Sequence, residues 1–359
     1  MDPRAQGVSH GGPRLRVGIA GYGIVGRLRR GFIDAHPTLQ TVAVCDQTFP
    51  AATTEAGGLL CFPDYRSLLD QKLDALFVCL PNYLAAEVTI AGLERGLHVF
   101  CEKPPGRDIA DVVRVIECER RHPELKLMYG FNHRYHDSVR DALKLVQSGT
   151  LGRVISLRGI YGKSQMIRFD SDWRTRRAMS GGGIFLDQGI HLVDLMRLFA
   201  GCFTEIHSVV SNDFWHHDVE DNVYALMRTD DGVTAMLHSS ATQWRHRFGL
   251  DITLSKGLIT LSGILSSSKS YGAETLTVAY AGDNDGGDPF EQTTRYNTDH
   301  SWQDEVAAFA NAVIGRTPVT AGSSIEALKT MHLVYRVYCA DSVWKQRYNL
   351  NDTVPAGLL

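Results

Sequence analysis

Two rhythms of apolar and polar positions divide the chain. Up to about residue 130, short and nearly continuous apolar runs cover residues 15–20, 40–45, 73–80, 97–101 and 125–130. Runs of that kind suit strands buried on both faces. Between them, residues 27–35, 65–71 and 84–95 suit helices, the last stopped by Gly96. Strands alternating with helices predict parallel βαβ units, with helices covering both faces of the sheet.

After residue 130 the rhythm changes. Residues 138–148 form an amphipathic helix with Val139, Ala142, Leu143, Leu145 and Val146 apolar, and Gly149 ends it. A strand over 153–161 leads into a long polar loop, 162–180. A helix then begins at Asp187, with Ile190, Leu192, Val193, Leu195, Met196, Leu198 and Phe199 filling one broad face. Residues 204–211, 221–229, 234–243, 248–254 and 257–261 alternate or are rich in β-formers. Asp230-Asp231-Gly232 and Ser255-Lys256-Gly257 supply hairpin turns. A meander of this kind is half-solvated unless something covers it, so its open face is a natural self-association surface. Helices over 302–314 and 323–341 close the chain. The boundaries that follow are a disordered leader over 1–12, a nucleotide-binding domain over 13–130, a substrate and oligomerisation domain over 131–320, and a C-terminal helix over 321–359 that packs back on the first domain.

Composition narrows the function classes. The chain has 359 residues, 44% hydrophobic and 21% charged, enough for two cores. A net charge of −3 without blocks of like charge gives no reason to expect nucleic acid or an anionic membrane as partner. No apolar run reaches the length of a membrane span. The first dozen residues are polar and glycine-rich, unlike a signal peptide. Seven scattered cysteines, an odd number with no CxxC, read as reduced thiols of a cytoplasmic protein.

The first strand runs into Gly21-Tyr22-Gly23-Ile24-Val25-Gly26, a G-x-G-x-x-G turn opening a helix. Its glycines allow a tight turn, close approach of backbone to a pyrophosphate and close helix–strand packing. The phosphates would rest on the helix N-terminus. The second strand ends in Asp46, placed to accept hydrogen bonds from the adenosine ribose hydroxyls. An acid there repels a 2′-phosphate, and residues 47–49 offer no basic partner for one, so NAD is expected over NADP. Pro81-Asn82 and Glu102-Lys103-Pro104-Pro105 stand at the carboxyl ends of later strands, where such sheets bind ligands. Alone, Glu102-Lys103 reads as a surface ion pair. At the binding rim, Lys103 is placed to hold a substrate hydroxyl and steady a developing alkoxide.

Asp187 and His191 are four apart and share a helical face, where the carboxylate can orient the imidazole for proton transfer. The plainer alternative is a capping Asp and a packed His. Asn132 and Arg134 follow a strand end and either position hydroxyls or a phosphate or belong to a linker. In the loop 162–180, Lys163, Trp173 and Arg174 suit a sugar-phosphate or nucleotide clamp, against the alternative of a solvated loop pairing with acids across a subunit contact. His216, His217 and Asp218 lack a matching ligand elsewhere, so no metal is expected.

Taken in order, Gly21 to Gly26, Glu102-Lys103-Pro104 and Asp187-Gln188-Gly189-Ile190-His191-Leu192-Val193-Asp194 resemble the glucose–fructose oxidoreductase/inositol dehydrogenase (Gfo/Idh/MocA) family over nearly the whole chain after residue 13. The resemblance implies an α/β protein: an N-terminal Rossmann domain and a C-terminal α/β domain with a large, open, mostly antiparallel sheet. It implies NAD(P)-dependent redox chemistry at a sugar, nucleotide-sugar or cyclitol carbinol, with Lys103, Asp187 and His191 matching the family's catalytic groups. It also implies a homodimer or homotetramer formed through the C-terminal sheet. Gly130 to Tyr135 and Ser180 to Gly183 are most similar to enzymes of nucleotide-sugar and surface-polysaccharide pathways. Many members carry a histidine three residues after the asparagine of Pro-Asn, where this chain has Ala85. Two other activities fit the resemblance: a redox-neutral glycosidase with tightly held NAD, and a non-catalytic dinucleotide sensor.

Overall fold

A computed structural model describes residues 14–55, 57–164, 173–266, 271–282 and 289–359. The leader over 1–12, Arg168 and Asp172 of the polar loop, and residues 283–288 lie outside the described residues. The chain divides into two units. The first takes residues up to Gly106, Ala110–Gly130 and Trp302–Ala327; the second takes Arg107–Ile109, Phe131–Ser301 and Leu328–Leu359.

In the first unit the apolar runs become β1 (Leu15–Ala20), β2 (Leu39–Cys45), β5 (Ala75–Val78), β6 (His98–Glu102) and β7 (Leu127–Gly130), with β3 (Thr53–Thr54) and β4 (Leu60–Phe62) at one edge. The helices are α1 (Ile24–Ala35), α2 (Tyr65–Leu69), α3 (Asn82–Glu94) and α4 (Ile109–Glu119). The strand order is β3-β4-β2-β1-β5-β6-β7. All neighbours are parallel except β3 and β4. The order reverses direction between β1 and β5, and that switch point is where open α/β sheets bind ligands. Hydrophobic spacing alone does not mark α4, because Ile109, Val112, Val113, Val115 and Ile116 are β-branched and poor helix formers.

Within this core lies a charge. Arg29 of α1 is fully buried between the rings of Phe100 and Trp302, 4.5 and 4.3 Å from their centroids. Its Nε donates to Glu102 Oε1 at 2.6 Å and its Nη2 to Glu305 Oε2 at 2.5 Å. Burial by itself lowers the pKa of a guanidinium, but the two carboxylates outweigh it and raise Arg29 above its ordinary value.

The second unit begins with α5 (Asp137–Ser148) and β8 (Val154–Gly162), followed by α6 (Arg177–Ser180) and α7 (Ile190–Ala200). Then come β9 (Phe203–Ser211), β10 (Asn222–Thr229), β11 (Thr234–Ser240), β12 (Arg247–Leu254), β13 (Gly257–Ser262), β14 (Glu274–Tyr280) and β15 (Phe290–Tyr296). These strands form one sheet in the order β15-β14-β13-β12-β8-β11-β10-β9. Among the described residues only the β8–β11 pair of this sheet is parallel, so the sheet is mostly antiparallel as expected. Helices α5 and α7 pack on one face. The other carries Val209, Tyr224, Leu226 and Met236 in exposed positions, and the Tyr224 ring stacks on His238 at 4.0 Å. Strand β15 escaped the pattern because almost every residue in it is exposed, which removes the alternation.

Helix α8 (Ser301–Ile314) lies almost wholly in the first unit, and α9 (Ser324–Ala340) passes from the first into the second. A single helix over 323–341 is the sequence expectation. Instead Asp341 starts a new one, α10 (Ser342–Tyr348), by accepting from Trp344 N at 2.9 Å, while its other oxygen accepts from Val210 N at 2.8 Å.

Removing the Arg29 charge strands two buried carboxylates. Arg29→Met is expected to lower unfolding free energy by about 3–5 kcal/mol, the range for a broken buried pair. Adding Glu102→Gln and Glu305→Gln should restore part of that loss. Denaturant midpoints of the single and triple variants check both.

Candidate functional site

The fingerprint turn is built for a ligand that approaches its backbone. Gly21 has φ 92°, and a Cβ there would lie 2.3 Å from Cys79 O. A Cβ at Gly26 would lie 2.0 Å from Gly21 O. These two glycines serve the fold. At Gly23 a Cβ would meet nothing within 4 Å, so this glycine keeps the outer side of the turn bare for a pyrophosphate. Gly23 is also the N-cap of α1 and offers the helix no side-chain cap. That leaves N–H groups for an anion.

Asp46 closes the same turn. Its Oδ2 accepts from Tyr22 N at 3.0 Å, and its Oδ1 accepts from the Thr48 backbone N–H and hydroxyl at 3.0 and 2.7 Å. Three of about four acceptor positions of the carboxylate are thereby used, and its direction is set. Pro81 and Asn82 begin α3 directly after β5, beside the fingerprint, and Cys79 N donates to Ala20 O at 2.7 Å. Ile24 and Val25 open α1, Ile24 being 87% exposed. Lys103 follows β6 through a cis peptide bond to Pro104. The Glu102 carboxylate turns inward to Arg29. It therefore acts from beneath the rim rather than as an exposed partner of Lys103.

The second unit holds the other half of the predicted chemistry. The helix begins with a π-helical turn, Phe185–Gly189, and only then becomes α7. Asp187 sits in the widened turn and His191 in the first turn of α7. Such single turns frequently mark functional sites. Their start is capped by the fully buried Glu220, which accepts from Gly183 N at 2.8 Å, Phe185 N at 3.1 Å and the Tyr338 hydroxyl at 2.6 Å. Burial raises the Glu220 pKa, the nearby Arg177 charge and these donors opposing it. Eight of the eleven residues of α7 are buried. One apolar face was expected; the helix is enclosed on nearly all sides instead, as its composition permits.

Lys163, at the end of β8, brings its Nζ to 3.8 Å from Asp187 Oδ2. The His191 ring lies flat against His133, with centroids 3.7 Å apart and planes at 13°. His133 is itself fixed at both nitrogens: Nδ1 lies 3.1 Å from Asn132 Oδ1 and Nε2 lies 3.1 Å from the Tyr161 hydroxyl. Asn132 donates to Ser301 Oγ at 3.2 Å. Beside Asp187, Gln188 Nε2 donates to the Tyr271 hydroxyl at 2.5 Å. Burial pushes Tyr161 well above the usual phenol range and Tyr271 to about 12. Both hydroxyls therefore stay protonated near neutral pH.

Arg134 has a different place from the one offered by its sequence position. Its guanidinium donates bidentately to Asp194 of α7, both bonds at 2.6 Å, and Thr330 adds a third bond to Asp194 at 3.0 Å. It braces the helix that carries His191. Trp173 and Arg174 pair with each other, the guanidinium 4.4 Å above the indole. His133 falls at the same strand end in the sequence but receives no role there, since a lone His beside Asn132 carries no periodic signal. Its stack on His191 exists only in the folded chain.

The match to known proteins agrees with this geometry. Residues 15–131 match the model of an oxidoreductase family with an NAD-binding Rossmann fold, and residues 139–260 match the GFO/IDH/MocA C-terminal domain. This chain belongs to the Gfo/Idh/MocA family. Its N-terminal unit is thus an NAD-binding Rossmann domain. Among similar proteins, a levoglucosan dehydrogenase of Pseudarthrobacter phenanthrenivorans is 28% identical over 55% of this chain and 54% of its own length. A D-xylose 1-dehydrogenase (NADP(+)) of Haloferax volcanii is 28% identical over 88% of this chain and 96% of its own. An inositol 2-dehydrogenase of Salmonella typhimurium is 25% identical over 73% and 78%. A solved levoglucosan dehydrogenase in complex with NADH shares the fold, with TM-score 0.79 at 20% identity over 92% of this chain and 98% of that one. No helix among the described residues is long and apolar enough to cross a membrane.

Proposed function

We propose that the protein is a dehydrogenase that transfers a hydride between NAD and a ring carbinol or ketone of a sugar or cyclitol. The observation that carries this reading is His191, an imidazole held flat against His133 one helical turn from Asp187. When bound, the nicotinamide accepts or returns the hydride. His191 takes or returns the hydroxyl proton, and Asp187 orients its ring. Lys163 gives Asp187 a cationic neighbour, and Lys103 steadies negative charge on the reacting oxygen. Asn132, Lys163, Trp173 and Arg174 contribute to substrate binding, while Arg134 acts through Asp194. The relatives' names, which include a levoglucosan, a xylose and an inositol dehydrogenase, support a polyol ring as substrate. Seven unpaired cysteines suit a reducing compartment, the cytoplasm. The apolar open face of the C-terminal sheet supports a homo-oligomer formed by two such faces.

Three measurements test this. Purified protein with NAD and a panel of inositols, sugars and nucleotide sugars should produce NADH absorbance with one class. His191→Ala and Lys103→Met should each abolish that signal while binding NAD nearly as well as the parent. NAD binding without turnover across the whole panel would favour the redox-neutral glycosidase or the dinucleotide sensor instead. Asp46→Ala should weaken NAD by roughly tenfold or more, the scale for a lost charged hydrogen bond, and weaken NADP less; titration calorimetry with both dinucleotides decides. Leu226→Asp with Met236→Lys should lower the mass seen by light scattering to that of a single chain, with folding intact by circular dichroism.

A further inference from the structure

Three aromatic rings stand together on two loops of the second unit. Phe214 and Trp215 follow β9, and Trp244 follows β11. Phe214 contacts Trp215 and Trp244 edge-on, at 4.9 and 5.3 Å between centroids. Two of the three are open to solvent, Phe214 at 52% and Trp244 at 63%. Solvent exposure of two large rings in contact is costly unless a ligand uses it.

The cluster is fixed in advance. Trp215 Nε1 donates to Ala241 O at 3.0 Å, and its ring packs against Ile184, Val219 and Ala241. The backbone N–H groups of Phe214 and Trp215 both donate to Asp221 Oδ2 at 3.0 Å. Trp244 has φ 53°, a left-handed conformation that a bulky residue adopts only when its surroundings enforce it. Its chain neighbours show what enforces it. Lys163 N donates to Ser240 O at 2.8 Å and Gln243 N to Lys163 O at 3.0 Å, while His246 packs edge-on against Tyr271, the ring that holds Gln188. The segment is therefore pinned to the candidate site on both sides of Trp244, and the left-handed turn swings the indole outward between the pins.

We propose that Trp244 and Phe214 form a stacking platform for a second, neutral saccharide ring, attached to the ring that reacts. This rests on the sugar dehydrogenase reading and extends it from a monosaccharide to a glycoside. Aromatic faces carry partial negative charge that suits the C–H faces of a pyranose. A platform ordered before binding loses little entropy when the ring arrives. The exposed charges beside the rings balance, Asp213 and Asp218 in one loop against Arg245 and Arg247 at the end of the other, while Glu220 and Asp221 are buried; a platform without net charge suits a neutral ring.

The test uses the full chain with NAD, titrated with disaccharides and with the matching methyl monosaccharides, read by tryptophan fluorescence and by NADH formation. Trp244→Asn keeps a residue that tolerates the left-handed turn and removes the ring; Phe214→Ala is the second variant. Each should raise the disaccharide Kd roughly three- to tenfold, the scale of an aromatic contact, and leave the monosaccharide Kd unchanged. Equal effects on both sugars, or no disaccharide binding by the parent, would overturn the platform. So would a nucleotide sugar whose affinity falls in Trp244→Asn while disaccharide affinity stays, or a loss of self-association in either variant. Disaccharide binding that responds to both variants without NADH formation from any sugar would retain the platform and reject the dehydrogenase reading.

Discussion

A helix that is apolar nearly all round has no preferred face, and α7 is such a helix. Burial drives it into the core but does not choose which residue points where, because most rotations would bury similar area. Two carboxylates make the choice. Asp194 has to meet Arg134 and Thr330, and the N-terminal amides at Gly183 and Phe185 have to meet Glu220. Any other rotation or register leaves buried charge unpaired, at a cost of several kcal/mol per ion. The position of His191 follows, and so does its contact with His133. A Cβ at Gly183 would lie 2.1 Å from Glu220 O, so even the glycine ahead of the helix answers to this constraint.

The first unit uses the same device at Lys103. The residue before it, Glu102, is held from inside by Arg29, which is held in turn by Glu305. Arg29 lies in the helix that the fingerprint opens, so the dinucleotide turn and the Lys103 rim share one buried charge cluster. Gly130 lies against this cluster as well: a Cβ there would sit 3.0 Å from Glu102 Oε2 and 3.2 Å from Arg29 Nη2. A hydrophobic trio of equal volume would be as stable or more so. It would not specify the direction in which the rim leaves the sheet.

These devices explain what the sequence discloses and what it withholds. The fingerprint, Asp46 and the alternating strands are legible because they are local: a turn, a strand end and a period of two each lie within a few residues. The Rossmann sheet and the mostly antiparallel second sheet follow from such signals. Strand β15 and helix α4 do not, one because exposure erases its alternation and the other because its β-branched residues argue for a strand. Within the site, Asp187 and His191 are visible as a spaced pair, but the π-helical turn that holds Asp187 is not. It arises where Gly189 meets Ser239 of β11, a Cβ there falling 2.7 Å from the Ser239 hydroxyl. That approach joins residues fifty apart.

Arg134 gives the sharpest form of the difference. From its place after a strand end, a basic residue reads as a ligand for hydroxyls or phosphate, and nothing nearby in the sequence argues otherwise. Its partner lies sixty residues on, inside the helix whose Asp187 and His191 read as the chemistry. Arg134 and Asp194 are both almost fully buried, at 8% and 1% side-chain exposure. Releasing the guanidinium to a substrate would strand Asp194 in the core, which costs more than the few kcal/mol a single new charged hydrogen bond returns. The energetics therefore hold Arg134 to the helix, whereas Lys163 and Asp187 keep some solvent exposure, at 21% and 27%.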